Sequence, residues 1–147
     1  MLTSILSLAV TLFTTQAPPA NVACSVLTPA QVTALIGTAQ TLPIGNAPNG
    51  SNCMFQNNDK VITVLVATNA AADAARRLFD TNQRISTGTD ISGWGVPAYG
   101  ATMKNFAVAG VLKQLTFIEV KVSNPAQKPE ATAHALQAAM KEFASRK

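Results

Sequence analysis

The sequence predicts an α+β domain: an antiparallel sheet of about five strands with helices packed on one face, closed by one disulfide. Three observations lead there. Stretches with helical spacing of apolar residues alternate with stretches of β-branched, period-two character. Two cysteines, Cys24 and Cys53, are the only ones in the 147 residues. An apolar segment at the start is cut off from everything downstream by Pro18-Pro19.

That first segment, residues 5–13, reads Ile-Leu-Ser-Leu-Ala-Val-Thr-Leu-Phe. It has signal-peptide length and is too short to span a bilayer. Thr15-Gln16-Ala17 reads as a cleavage site, with Ala20 and Ala23 as further candidates. The expectation is a signal peptide over 1–20 and a single α+β domain over 21–147, periplasmic or secreted. No second long apolar run follows, so no membrane span is expected in the mature chain. Asn21-Val22-Ala23-Cys24 makes a poor lipoprotein site: Asn21 stands where Leu is wanted, and the apolar core ends well before it.

Removing the leader leaves roughly 125 residues, one ordinary domain. Hydrophobic residues make up 48% and charged residues 12%, which favours a packed globule over a disordered tail. The formal net charge is +4, but the basic residues are scattered, with no run and no interleaved aromatics. Nucleic-acid binding is therefore not expected. Two cysteines in an exported chain are most simply one disulfide, Cys24–Cys53. The closed loop of roughly 30 residues corresponds to about 3.5 kcal/mol by chain entropy.

The elements follow in order. Thr28-Pro29-Ala30-Gln31 is a helix start: Thr28 caps, Pro29 takes the first helical position, and Gln31 completes a capping box. Leu27 and Val32 are spaced for a hydrophobic staple, and Gly37 supplies the stop, giving a helix over 29–36. Residues 38–52, rich in Pro, Gly and Asn, read as an irregular loop. A strand starts at Cys53, turns at Asn57-Asn58-Asp59, and returns over 60–67. Residues 70–84 read as a helix with Ala71, Ala74, Ala75, Leu78 and Phe79 inward. Its arginines and aspartates lie four apart, so weak surface pairs are expected. Residues 88–100 form a glycine-rich turn region. Residues 103–112 read as one strand or a bent pair. In 116–123, Ile118, Val120 and Val122 face one side and Phe117, Glu119, Lys121 and Ser123 the other, the pattern of a half-buried strand. Pro129-Glu130 opens a last helix to about residue 144, with Ala133, Leu136, Met140 and Phe143 as its core stripe.

The opening Cys24-Ser25-Val26-Leu27-Thr28-Pro29, the helix ending at Gly37, and Gly93-Trp94-Gly95-Val96-Pro97-Ala98-Tyr99 resemble a group of small bacterial exported domains. This group comprises DUF3558-like envelope domains and the similar extracellular sensor domains of some bacterial kinases. The segments 111–113 and 117–120 resemble its closing hairpin. The resemblance implies an envelope module that senses or binds, and a later cysteine paired with the first. Pro97 departs from the acidic residue common there.

Little in the chain carries chemistry. His134, the sole histidine, falls away from the core stripe of the last helix. There is no nucleophile elbow, phosphate loop or zinc-protease helix, so no catalytic residue, cofactor or metal is expected. Trp94 and Tyr99, the only tryptophan and tyrosine, sit in the Gly/Pro turn and are the candidate binding residues. The competing reading makes them a plug at one end of the core. The expected function is a non-enzymatic exported module, a monomer binding an envelope ligand or a protein partner. The alternatives are an inhibitor or immunity-type protein blocking a secreted hydrolase through residues 38–52 or 88–100, and a small carboxylate-dependent hydrolase.

Overall fold

Thr28 and Gln31 form the capping box that their spacing calls for. The Thr28 hydroxyl accepts from Gln31 N at 3.3 Å, and Gln31 Oε1 accepts from Thr28 N at 2.8 Å. They open helix α1 (Pro29–Ile36), which stops at Gly37 with φ of +82°. The computed structural model describes residues 21–47 and 49–146. The leader expected over 1–20 lies outside the described residues. A 3-10 helix, Val22–Ser25, begins the described chain and is tied by the Cys24–Cys53 disulfide, with Cα atoms 5.1 Å apart.

The strands are β1 (Gln40–Ala47), β2 (Gly50–Asn57), β3 (Lys60–Thr68), β4 (Thr89–Asp90), β5 (Ala98–Met103), β6 (Phe106–Lys113) and β7 (Thr116–Ser123). Helices α2 (Ala72–Ile85) and α3 (Pro129–Ser145) complete the set. All strand pairs are antiparallel, in the order β1-β2-β3-β7-β6-β5-β4.

Two sequence expectations are corrected. Among the described residues the sheet has seven strands where about five are expected. β1 replaces most of the expected 38–52 loop: Pro43 sits on an edge strand beside a register shift between Pro43 and Gly45, where a missing N–H is tolerated. β4 adds the other edge.

The helices also cover both faces rather than one. On the first face, Leu35 and Ile36 of α1 and Leu136 and Met140 of α3 pack with Ile62, Val64, Ile118 and Val120. On the second, Ala75 and Phe79 of α2 pack with Tyr99, Val108, Leu112 and Phe117. The Phe79 ring meets Tyr99 edge-on at 5.1 Å and Phe117 at 6.1 Å. Residues 107–112 of β6 are therefore buried without a break, as strands covered on both faces are. Two of the expected pairs of α2 form, Arg77–Asp73 and Arg76–Asp80, each at 2.8 Å on the solvent side.

Candidate functional site

The strand registers lay one row of residues straight across the second face. It runs Asn52, Leu65, Glu119, Gly110, Tyr99 and Asp90. Gly110 lies between Tyr99 and Glu119, and a Cβ there would stand 2.3 Å from the Tyr99 ring. A Cβ at Gly88 would stand 2.5 Å from the same ring. Two glycines thus leave a slot in which the ring lies across β6, and its hydroxyl donates to Glu119 Oε2. Tyr99 is 0% exposed. Burial raises its phenol above the ordinary range, and the hydrogen bond to Glu119 and that carboxylate's charge raise it further.

Glu119 is 3% exposed, although alternation placed it on a solvent face. α2 covers that face, so a carboxylate is enclosed and must be satisfied. Oε2 accepts from Tyr99 and from Ser86 Oγ at 3.4 Å, while Oε1 takes the Lys121 ammonium at 2.9 Å. Sequence reasoning missed this cluster. One signal was present: Phe117 shares the supposed solvent face of the strand, and a second apolar layer would explain it.

α2 sits over β6 and β7, its cluster reaches Leu65 at the edge of β3, and among the described residues no helix covers β1, β2 or the rest of β3 on this face. Beside α2 runs a trough of about 260 Å³. Asn52, Thr63 and Leu65 line its floor, Lys121 and Glu119 its α2 side, and Ile44, 59% exposed at the β1 register shift, its far rim. Asn82 of α2 lines the wall, its amide donating to Leu78 O at 2.9 Å.

The helix turns 100° per residue, so Ala74, Leu78, Thr81 and Ile85 share the side of Asn82. None is charged. Asp73, Arg76, Arg77, Asp80 and Arg84 all fall on the outer surface or toward β4, where Gln83 bonds Asp90 at 2.7 Å. Ile85, one turn beyond Asn82, is 68% exposed.

The structure separates the two aromatic candidates. Trp94 is half-buried against the first-face core, with Ile91 and Val96, whereas Tyr99 points into the second. Gly93 and Gly95 hold the turn at φ of +80° and +72° with open space around them, so they serve the backbone path rather than packing. His134 is exposed on α3. Among the described residues, no three His, Cys, Asp or Glu side chains gather as a metal site, and no helix is long and apolar enough to cross a membrane. No protein-family model matches the chain, and no curated protein matches it.

Proposed function

We propose that this chain is a non-enzymatic exported module that binds a protein partner through the trough beside α2. The carrying observation is the second face, half-covered among the described residues: α2 turns an uncharged, part-exposed side toward a mixed apolar and amide-lined floor. Depletion of charge at a surface flanked by exposed isoleucines is the composition of an interface core, not of a solvated face. Glu119, the acid on the α2 side of the trough, holds two hydroxyls and an ammonium, which suits a structural carboxylate better than a base. The Cys24–Cys53 bond suits an oxidising compartment, and the proposal extends to membership in the exported domain group that the opening motif resembles.

Native mass spectrometry of the protein recovered from its own envelope fraction tests this. The intact chain carries a partner mass, and Thr63→Arg, placed on the exposed floor, loses it while keeping its thermal midpoint. A bare monomer for the intact chain, or a partner mass unaffected by Thr63→Arg, removes the trough from the account.

A further inference from the structure

We infer that the trough takes a single amphipathic α-helix of a partner protein, lying alongside α2 across β2 and β3. This rests on the trough being the binding site.

The fit follows from the layers. On the first face, α1 contacts β2 and β3 while α3 contacts β5 and β6, and the two helices meet through Gln31 and Glu142 at 3.2 Å. On the second face, the one helix among the described residues is α2, over β6 and β7. Among the described residues, none fills the seat opposite α1. From β7 to β1 there are three strand spacings, about 14 Å, against a helix diameter of about 10–12 Å with side chains. A helix packed 8–10 Å from the α2 axis comes to rest over β2 and β3. Its floor there is Leu42, Met54, Thr63 and Leu65, joined across the sheet by the register pairs Leu42–Met54 and Met54–Thr63. Its side wall is Leu78, Asn82 and Ile85.

Charge decides against a second copy of this chain. Two half-covered faces interlock only if each α2 enters the other's trough outer surface first. That would bury Asp73, Arg77 and Arg84 against Met54, Thr63 and Leu65. Lys121, the cation lining the trough, is already held by Glu119. Arg84 would be enclosed without a partner, at a cost of several kcal/mol, and the Asp73–Arg77 pair would lose its water for only a partial return. An extended peptide is the weaker fit. It is thinner than the helix layer and leaves Ile85 uncovered, and strand addition at β1 meets the Pro43 irregularity. The helix expected has aliphatic residues at i, i+3 or i+4, and i+7, no charge on that stripe, and amide or hydroxyl groups for Asn52 and Asn82.

A photoreactive benzoylphenylalanine at Thr63, with one at Ala135 on the exposed side of α3 as control, tests this in the cells that make the protein. The expected result is a single adduct at 63 and none at 135. The cross-linked segment of the partner carries the i, i+3/i+4, i+7 stripe. A synthetic peptide of that segment gains helical circular dichroism on mixing with the intact protein, and Thr63→Arg weakens its binding at least tenfold. No adduct at 63 overturns both the trough and the helix. An adduct to a second copy, to lipid, or to a charged or proline-rich segment overturns the helix and leaves the trough as the site.

Discussion

Gly110→Ala should be among the most damaging single-methyl changes in this protein. The added Cβ would lie 2.3 Å from one Tyr99 ring atom and 2.4 Å from another. The ring cannot yield upward, because the Gly88 backbone and the Phe79 ring close that side. Overpacking of this kind costs about 1–3 kcal/mol. A displaced ring also takes its hydroxyl from Glu119, and a buried carboxylate short of a donor costs about 1–3 kcal/mol more. Alanine is favoured over glycine in a strand by about 0.5–1 kcal/mol, which offsets a part. The net expectation is a loss of about 1–5 kcal/mol, or a fall of about 4–20 °C at about 4 °C per kcal/mol for a domain of this size. Urea unfolding with unchanged m reads the free energy, and a cycle with Tyr99→Phe reads the mechanism. If Gly110→Ala already breaks the Tyr99–Glu119 bond, removing the hydroxyl in that background costs little more. Gly93→Ala is the contrast: it meets only open space and answers for its φ of +80° alone, about 1–2 kcal/mol. A Gly110→Ala protein within 0.5 kcal/mol of the parent, by the same urea measurement, would refute the ring-across-glycine packing.

Three further outcomes follow from the same contacts. Tyr99 is the only tyrosine, so tyrosinate absorbance reports it alone. Burial and Glu119 hold its proton in the folded state, so the unfolded chain ionises first. The stabilisation is complete below about pH 10 and is lost as pH rises beyond it. The folded protein should show no tyrosinate band near pH 10 and should gain it only on unfolding; a free titration there would contradict the burial. Reducing Cys24–Cys53, which are 29 residues apart, should cost about 3.5 kcal/mol, read as a fall of about 14 °C in the thermal midpoint; an unchanged midpoint would show the staple to be idle. Trp94→Ala should cost about 2 kcal/mol, less than the loss of a fully buried tryptophan, and should leave the partner mass in native spectra intact. Loss of that partner with unchanged stability would return the site to the Trp94 turn.

Local chemistry was legible wherever neighbours in sequence decide it. The capping box at Thr28 and Gln31, the stop at Gly37, and the inward row Ile118, Val120 and Val122 all depend on a few adjacent residues. β1 was not legible, because Pro43, Gly45 and Asn46 carry loop signals that an edge strand with a register shift accommodates. The second layer was not legible either. One face of β7 holds Phe117, Glu119, Lys121 and Ser123, which alternation alone assigns to water. Only the docking of Phe79 between Tyr99 and Phe117 makes that face interior. The trough shares this origin. Asn52, Thr63 and Asn82 come from three elements, and their convergence is a property of sheet order and of where α2 lands.

The same sheet order gives the N-terminal staple a second effect. Asn21 Nδ2 donates to Gly45 O on β1 at 3.1 Å and to Asn52 O on β2 at 3.0 Å. Ala23 N donates to the buried Ser51 hydroxyl at 3.0 Å, and Cys24 is bonded to Cys53 in the middle of β2. All four attachments fall on the two strands that carry Ile44 and Asn52, the far rim and the floor of the trough. An edge strand is held by ladder bonds on one side only, and a docking surface built on it would lose its shape as that strand frays. Fixing β1 to β2 through Asn21 and fixing β2 through the disulfide suppresses that fraying where the trough needs a rigid wall. On this argument, the cysteine pair contributes to preorganising the site as well as to global stability, and reduction should weaken partner binding at temperatures well below those at which the chain unfolds.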